Sequence, residues 1–283
     1  MIWKTKRQHL DLARRSEIMG VLNVTPDSFS DGGLFSEPET AVRMGLEMAA
    51  QGAAILDVGG ESTRPGAAPV PAELEQARTV PVIRGLRERW DGLISIDTSK
   101  AEVAAAALEA GADIVNDVTG LLGDPEMEGV CRKAGCGVVV MHMQGEPRTM
   151  QVDPKYGDVV DEVRRFLQDR FDSLTAAGIA PECLCFDPGI GFGKTLEHNL
   201  ALLKHLVELA PDGRPMLLGV SRKSFIANVL SDKTMGAREW PTVAITALAR
   251  EAGVRVFRVH SVRPNLEALR MTEAICGLST NRK

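Results

Sequence analysis

Hydrophobic positions along this chain gather into eight short, unbroken runs at residues 18–24, 54–58, 93–96, 113–115, 137–141, 183–186, 216–220 and 254–259. None alternates polar with apolar, as a strand with one wet face would. Continuous apolar runs are the mark of parallel strands covered on both sides. Helix-forming segments follow each run. Ser36 with Glu39, and Pro38 in the first turn, predict a helix to about residue 51. A second helix ends near residue 90, and Ser99 with Glu102 form another capping box that opens a helix to residue 110. A short helix is expected over 125–134. In the next helix Val159, Val163, Phe166, Phe171 and Leu174 share one face at the 3.6-residue period. Further helices are predicted to about residue 209, in two pieces before residue 252, and to about residue 276. Eight strand–helix units predict an α/β fold, a (β/α)8 TIM barrel in a single domain over residues 17–283. Residues 1–16 read as an N-terminal arm covering the barrel floor. A doubly wound open sheet is the alternative, but it usually has fewer strands and a glycine-rich turn after the first. Here the first run is followed by TPDSFS.

Composition changes this picture little. The chain has 283 residues, 44% hydrophobic and 25% charged, with a net charge of −5. One barrel commonly takes about 250 residues. No basic tract suggests a nucleic-acid footprint, and no apolar run approaches the roughly 20 residues of a membrane span. The basic N-terminus lacks the apolar centre of a secretory signal. The five cysteines have no C-x-x-C spacing, so neither a disulfide framework nor a zinc site is signalled. Cys183 and Cys185, two apart, are expected on one strand face as core thiols, and a reducing cytoplasm follows.

The chemistry sits where the runs stop. Their ends carry Asn23, Asp57, Asp97, Asn116, His142, Asp187, Lys223, and Arg258 with His260. In such barrels the active site lies at the C-terminal strand ends. An Asp or Asn after a strand often only caps the next helix, and Asp57, followed by Gly59-Gly60, is the best candidate for a purely structural role. Caps do not require cations or imidazoles, however, so the set as a whole points to a site. Asp97, Asn116 and Asp187 form an acceptor-rich half suited to the amidine-like edge of a guanine-like or pterin-like heterocycle. Arg258 and His260 point the same way on the last strand, which closes against the first and its Asn23. With Arg64 they make a basic half suited to an anionic tail, in the region where barrels often hold phosphates.

At this point NVTPDSFSDGG, DVGGESTRPG, SIDTSK, VNDV, VVVMHMQGEPRTMQ, FDPGIGFGKT, GVSRKSF and FRVH, in that order over residues 17–276, resemble the dihydropteroate synthase family. The resemblance implies a folate-pathway transferase. It would join p-aminobenzoate to 6-hydroxymethyl-7,8-dihydropterin pyrophosphate with Mg²⁺, releasing pyrophosphate. By motif, Asp97, Asn116, Asp187 and Lys223 would hold the pterin, with Met141 lining its pocket and Arg258 stacking on its ring. Asn23, Arg64, Arg258 and His260 would hold the pyrophosphate, and Asn23 and Asp31 would meet the Mg²⁺. Thr63, Pro65, Phe192, Lys223 and Ser224 would frame p-aminobenzoate. The family also implies a homodimer through outer helices, and inhibition by sulfonamides, which mimic p-aminobenzoate.

Charge neutralisation by metal, arginine and imidazole makes pyrophosphate a good leaving group. The carbon left behind is conjugated to an electron-rich pterin, so a dissociative, SN1-like path is expected. The aniline nitrogen is neutral at pH 7, and no general base is nominated. Ser224 begins a predicted helix whose N-terminus suits a benzoate carboxylate. The loops after the first two strands, about a dozen residues each, are long enough to serve as lids. Two other readings compete. A pterin-binding methyltransferase using a methylfolate would not need the pyrophosphate clamp, and a silent pterin-binding scaffold would have lost part of it.

Several residues take blander readings. His142 reads as a packed rim histidine. His198 and His205, seven apart on one helix, read as a solvated face rather than a metal site. The GIGFG run is placed wrongly for a dinucleotide fingerprint and reads as a tight loop presenting Phe192. Met44 and Met48 fit core packing.

Overall fold

The computed structural model describes all residues except 26–36, 64–65, 147, 212 and 279–283. Strands β1 (Ile2–Lys4) and β2 (His9–Asp11) pair as an antiparallel hairpin. The eight runs become the parallel strands β3 (Glu17–Asn23), β4 (Ile55–Gly59), β5 (Leu93–Asp97), β6 (Ile114–Asp117), β7 (Gly137–Met141), β8 (Leu184–Asp187), β9 (Leu217–Leu218) and β10 (Val256–Val259). Their order is β8-β7-β6-β5-β4-β3-β10-β9. A bridge from Phe186 to Met216, with Phe186 N donating to Pro215 O, joins β9 back to β8 and closes the ring. The open-sheet alternative is therefore excluded. β9 is shorter than its apolar run: the ladder ends at Leu218, and beyond it Lys223 N turns back onto Val220 O.

Around the ring lie α1 (Glu37–Ala50), α2 (Ala72–Arg87), α3 (Ala101–Ala110), α4 (Met127–Ala134), α5 (Val159–Ala176), α6 (Leu196–Lys204), α7 (Ser224–Leu230), α8 (Glu239–Glu251) and α9 (Val262–Ile275). Asp158 caps α5 by accepting from Val160 N and Asp161 N, and Thr195 with His198 forms a capping box on α6. The box expected at Ser99 and Glu102 does not form. α3 starts at Ala101, whose N–H goes instead to Asp124 Oδ2 at 2.8 Å, an acceptor supplied by a distant loop. The Ser36 box lies outside the described residues. α5 buries Leu167 and Arg170 along with Val159, Val163 and Leu174, while Phe166 and Phe171 are only half-buried at its flanks. α6 stops at Lys204, and the predicted stretch to residue 209 continues as a 3₁₀ turn.

Two apolar clusters hold the barrel. The larger packs the outward faces of the strands, such as Leu56, Ile94 and Phe186, against the helices. The smaller fills the floor of the ring with Met19, Ile55, Leu93, Ile114, Val139, Cys185, Leu217 and Val256, closed from below by Trp3 and Leu12 of the hairpin segment. Trp3 Nε1 donates to Cys183 O at 2.8 Å, so the indole is both buried and hydrogen-bonded. Cys183 precedes β8 and packs in the outer cluster while Cys185 faces the floor, so the two thiols do not share a strand face.

Candidate active site

Strand side chains alternate between the two faces, so the floor fixes what lies above it. Two residues beyond Ile55, Leu93, Ile114, Val139, Cys185, Leu217 and Val256 come Asp57, Ser95, Asn116, Met141, Asp187, Gly219 and Arg258. A dry floor thus gives way to a largely polar inward layer. One step higher the rim carries Asn23, Gly59, Asp97, Ser221 and His260, and Asn23, Gly59, Asp97 and Asn116 are successive partners in the ladder.

Arg258 organises this layer. Its Nε donates to Asp57 Oδ2 at 2.6 Å, and its other arm, Nη2, donates to Asp97 Oδ2 at 2.6 Å. Asn116 Nδ2 donates to the same Asp57 oxygen at 3.1 Å. Burial opposes the guanidinium charge, but Asp57 and Asp97 together outweigh it and hold Arg258 above its ordinary range. Burial, helped by the Asp57 charge and opposed by Arg258, pushes the Asp97 carboxyl up to about 7. Burial also raises Asp187, against the pull of Lys223 and of Gly189 N–H, which donates to it at 2.7 Å. Lys223 is drawn down to about 8 by burial, with Arg258 acting in the same direction and Asp187 against it.

Two glycines, Gly59 and Gly219, lie at the mouth among its polar side chains. A Cβ at Gly59 would stand 3.6 Å from Asp97 Oδ2 and 3.7 Å from Asn23 Oδ1. A Cβ at Gly219 would stand 3.7 Å from Asp187 Oδ2 and 3.8 Å from Arg258 Cβ. Asn23 and Arg258 therefore meet at one mouth, as the sequence required. A cavity of about 450 Å³ opens beside Asp97, with Thr63, Lys100, Val118 and Arg148 among its walls.

The basic edge is built by β9 and β10. Ser221 Oγ accepts from His260 N at 3.2 Å and lies 3.0 Å from His260 Nδ1. Arg222 between them adopts φ 61°, a left-handed conformation uncommon for a side chain of this size. It is held by Glu239, which accepts from its Nε, and by Arg238 Nη1, which donates to Arg222 O at 2.8 Å. Beyond it Lys223 donates to Ile190 O and lies 4.5 Å from the centre of the Phe192 ring. Ser224 is exposed at the first position of α7. The loop carrying Phe192 needs its glycines: a Cβ at Gly189 (φ 67°) or Gly193 (φ 61°) would lie 1.8 Å from His142 O or 2.3 Å from Gln144 O. Lys194, fully buried, ties that loop down through Phe192 O at 3.0 Å and His142 Nδ1 at 2.9 Å.

A profile described as "Pterin binding enzyme" matches residues 19–260. A dihydropteroate synthase from Synechocystis sp. is 44% identical over 94% of this chain and 92% of its own length. The chain belongs to the dihydropteroate synthase family. Two solved dihydropteroate synthases from Xanthomonas albilineans agree in fold. One, with 4-aminobenzoic acid, is 42% identical with a TM-score of 0.91, covering 97% of this chain and 98% of that one. The other, in complex with 7,8-dihydropteroate, is 39% identical with a TM-score of 0.88, covering 98% and 99%.

Of the residues the family resemblance singles out, Asn23, Asp97, Asn116, Met141, Asp187, Lys223, Arg258 and His260 line one mouth, with Thr63 and Phe192 on adjoining loops. Asp31, Arg64 and Pro65 lie outside the described residues. The division into an acidic and a basic half needs correction: Arg258 is ion-paired inside the acidic layer, and the basic edge is His260 with Lys223. Asp57, read as structural, is a direct partner of Arg258 and Asn116. Asp57 and Ser95 were both findable, since each stands two residues above an inward apolar position. Arg222 and Lys194 left no such signal. His142 is a packed histidine, edge-on to Phe166 at 4.9 Å, and burial with the Lys194 charge pulls it down to about 3. His198 caps α6 and His205 pairs with Glu208, so neither points to a metal.

Proposed function

We propose that this member of the dihydropteroate synthase family condenses 6-hydroxymethyl-7,8-dihydropterin pyrophosphate with p-aminobenzoate, giving 7,8-dihydropteroate and pyrophosphate in folate biosynthesis. The observation that carries the reading is the polar layer itself: Asp97, Asn116 and Asp187 around a doubly paired Arg258, directly above an apolar floor. Asp187 and Asn116 offer acceptors to the donor edge of the pterin. Leaving those donors unpaired would cost on the order of 1–3 kcal/mol. Arg258, fixed by two carboxylates, presents a flat guanidinium for stacking. His260, two residues further along and just past the end of β10, would meet the pyrophosphate, with Asn23 and Arg64. Lys223 lies between Asp187 and Phe192, where the pterin and p-aminobenzoate sites would adjoin, with Thr63, Pro65 and Ser224 around the second substrate.

The chain's own work is to hold the bridging carbon over the carboxylates while the pyrophosphate faces the basic edge. Departure of the pyrophosphate leaves a cation that Asp97 and Asp187 stabilise. The neutral aniline nitrogen attacks it and loses its proton to solvent. For Mg²⁺ the fit rests on donor chemistry: the Asn23 amide oxygen stands on the rim beside Asp97, and Mg²⁺ commonly takes one or two protein oxygens together with phosphate oxygens and water. Asn23 and Asp31 would hold it, and it would neutralise pyrophosphate charge. Pyrophosphate release that requires both the pterin ester and p-aminobenzoate tests the reading. Folded protein supplied with Mg²⁺ that releases none would refute it.

The chain also reads as a cytoplasmic homodimer. Cys131, Cys136, Cys183 and Cys185 are buried free thiols, in keeping with a reducing compartment. An apolar groove of about 420 Å³ between α6, α7 and α8, walled by Leu203, Phe225, Ile226, Leu230, Ile245 and Leu248, supports a second copy packing there.

A further inference from the structure

The loop after β4 carries Thr63 on the wall of the cavity beside Asp97, and its neck is pinned by three contacts that the reaction itself does not use. Arg78 Nη1 of α2 donates to Gly60 O at 2.8 Å. Glu61 Oε1 accepts from Val70 N at 3.2 Å, drawing the two limbs of the loop together. Glu61 Oε2 then accepts from Lys100 Nζ, which also donates at 2.6 Å to the fully buried carboxylate of Glu75 on α2. Lys100 stands immediately before α3, three residues after Asp97. One turn, residues 97–100, thus delivers a carboxylate to the polar layer and a cation to the neck of the loop. With its ammonium held between two carboxylates, Lys100 has little freedom, and neither has Glu61.

We propose that Lys100, acting through Glu61, is a positioning residue that fixes Thr63, on the loop after β4, beside the p-aminobenzoate site. This rests on the functional reading above. Removing the strut leaves the pterin pocket intact, since Asp57, Asp97, Asn116 and Arg258 bond one another without it. It frees Thr63, so the cost falls on the second substrate.

Two variants test this. Glu61→Gln removes the charge while keeping an acceptor for Val70 N and leaving Lys100 paired with Glu75. Lys100→Met removes the strut outright. Both are expected to raise KM for p-aminobenzoate about tenfold, to leave kcat within about threefold, and to leave calorimetric affinity for a pterin without pyrophosphate unchanged. Lys100→Arg, which can still reach both carboxylates, is expected to restore most of the loss. An unchanged KM in Glu61→Gln, or pterin affinity falling in step with KM, would overturn the proposal. If Lys100→Met does not fold, Glu61→Gln alone decides. Wild-type protein that releases no pyrophosphate would remove the parent reading. Wild-type turnover with a normal KM in the variants would remove only this inference.

Discussion

Replacing Asp57 by Asn tests whether the carboxylate beneath the mouth works or merely packs. Asp57 is fully buried, and one of its oxygens accepts from Arg258 Nε at 2.6 Å and Asn116 Nδ2 at 3.1 Å. Asparagine preserves shape and can still accept one of these bonds, but it removes the charge. Stripping one partner from a buried ion pair costs roughly 3–5 kcal/mol when nothing replaces it. Here Arg258 keeps Asp97 at 2.6 Å, so the loss is closer to the difference between a charge-assisted and a neutral hydrogen bond, plus a share of that upper figure, about 2 kcal/mol in all. For a chain of 283 residues that is a fall in Tm of about 3 °C. Should the whole of it fall on the orientation of Arg258 and Asn116 toward ligand, pterin affinity drops about thirtyfold. Urea denaturation and calorimetric titration with a pterin measure the two parts. Wild-type values for both would mean that Asp97 alone holds Arg258, and the layered account of the site would be wrong. A loss of stability with unchanged pterin affinity would return Asp57 to a purely structural role.

Asp187→Ala is expected to weaken pterin binding about 10–100-fold in the same titration while leaving the fold intact, because Asp187 carries acceptor oxygens at the ligand edge. His142 is held at about 3 rather than its ordinary 6.5, so between those values the unfolded chain binds a proton that the folded one does not. Stability contributed there is fully present above about pH 6.5 and lost as pH falls toward 3, with a limit of about 1.4 kcal/mol per pH unit. His142→Gln should flatten that acid limb in denaturation midpoints taken across the range, and an unchanged limb would disprove the assignment. Leu248→Glu places a charge in the apolar groove of α6–α8. It is expected to yield monomers by sedimentation at a micromolar concentration where the unsubstituted chain gives dimers, and an unchanged mass would show that this groove joins no copies.

The barrel was legible because a parallel strand buried on both faces has little option but a continuous apolar run, and eight such runs leave a ring as the natural closure. The mouth was legible for a related reason: a polar side chain ending such a run is costly to bury unless it has partners. Charge pairing across the ring was not legible. Arg258 sits 161 positions from Asp97 and 201 from Asp57, and strand order alone does not say which carboxylate a long guanidinium will reach. That Asp57 faces into the ring follows from Ile55, two places before it, which points to the floor. The unmade cap at Ser99 has the same origin: an acceptor from a distant loop, Asp124, displaced the local one. Local patterns determined elements, and partners far along the chain determined which polar group each element finally used.

The tryptophan that plugs the underside of the barrel has a consequence for how the protein comes to be made. Trp3 emerges from the ribosome well before its partners: its hydrogen-bond acceptor lies 180 positions later and Leu217 and Val256 of its packing cluster later still. At translation speeds of about 5–20 residues per second the indole waits on the order of tens of seconds before its socket exists. The bottom of the ring is therefore sealed late, by an indole made long before its socket, and the nascent chain must carry an unprotected aromatic anchor until β10 has been delivered.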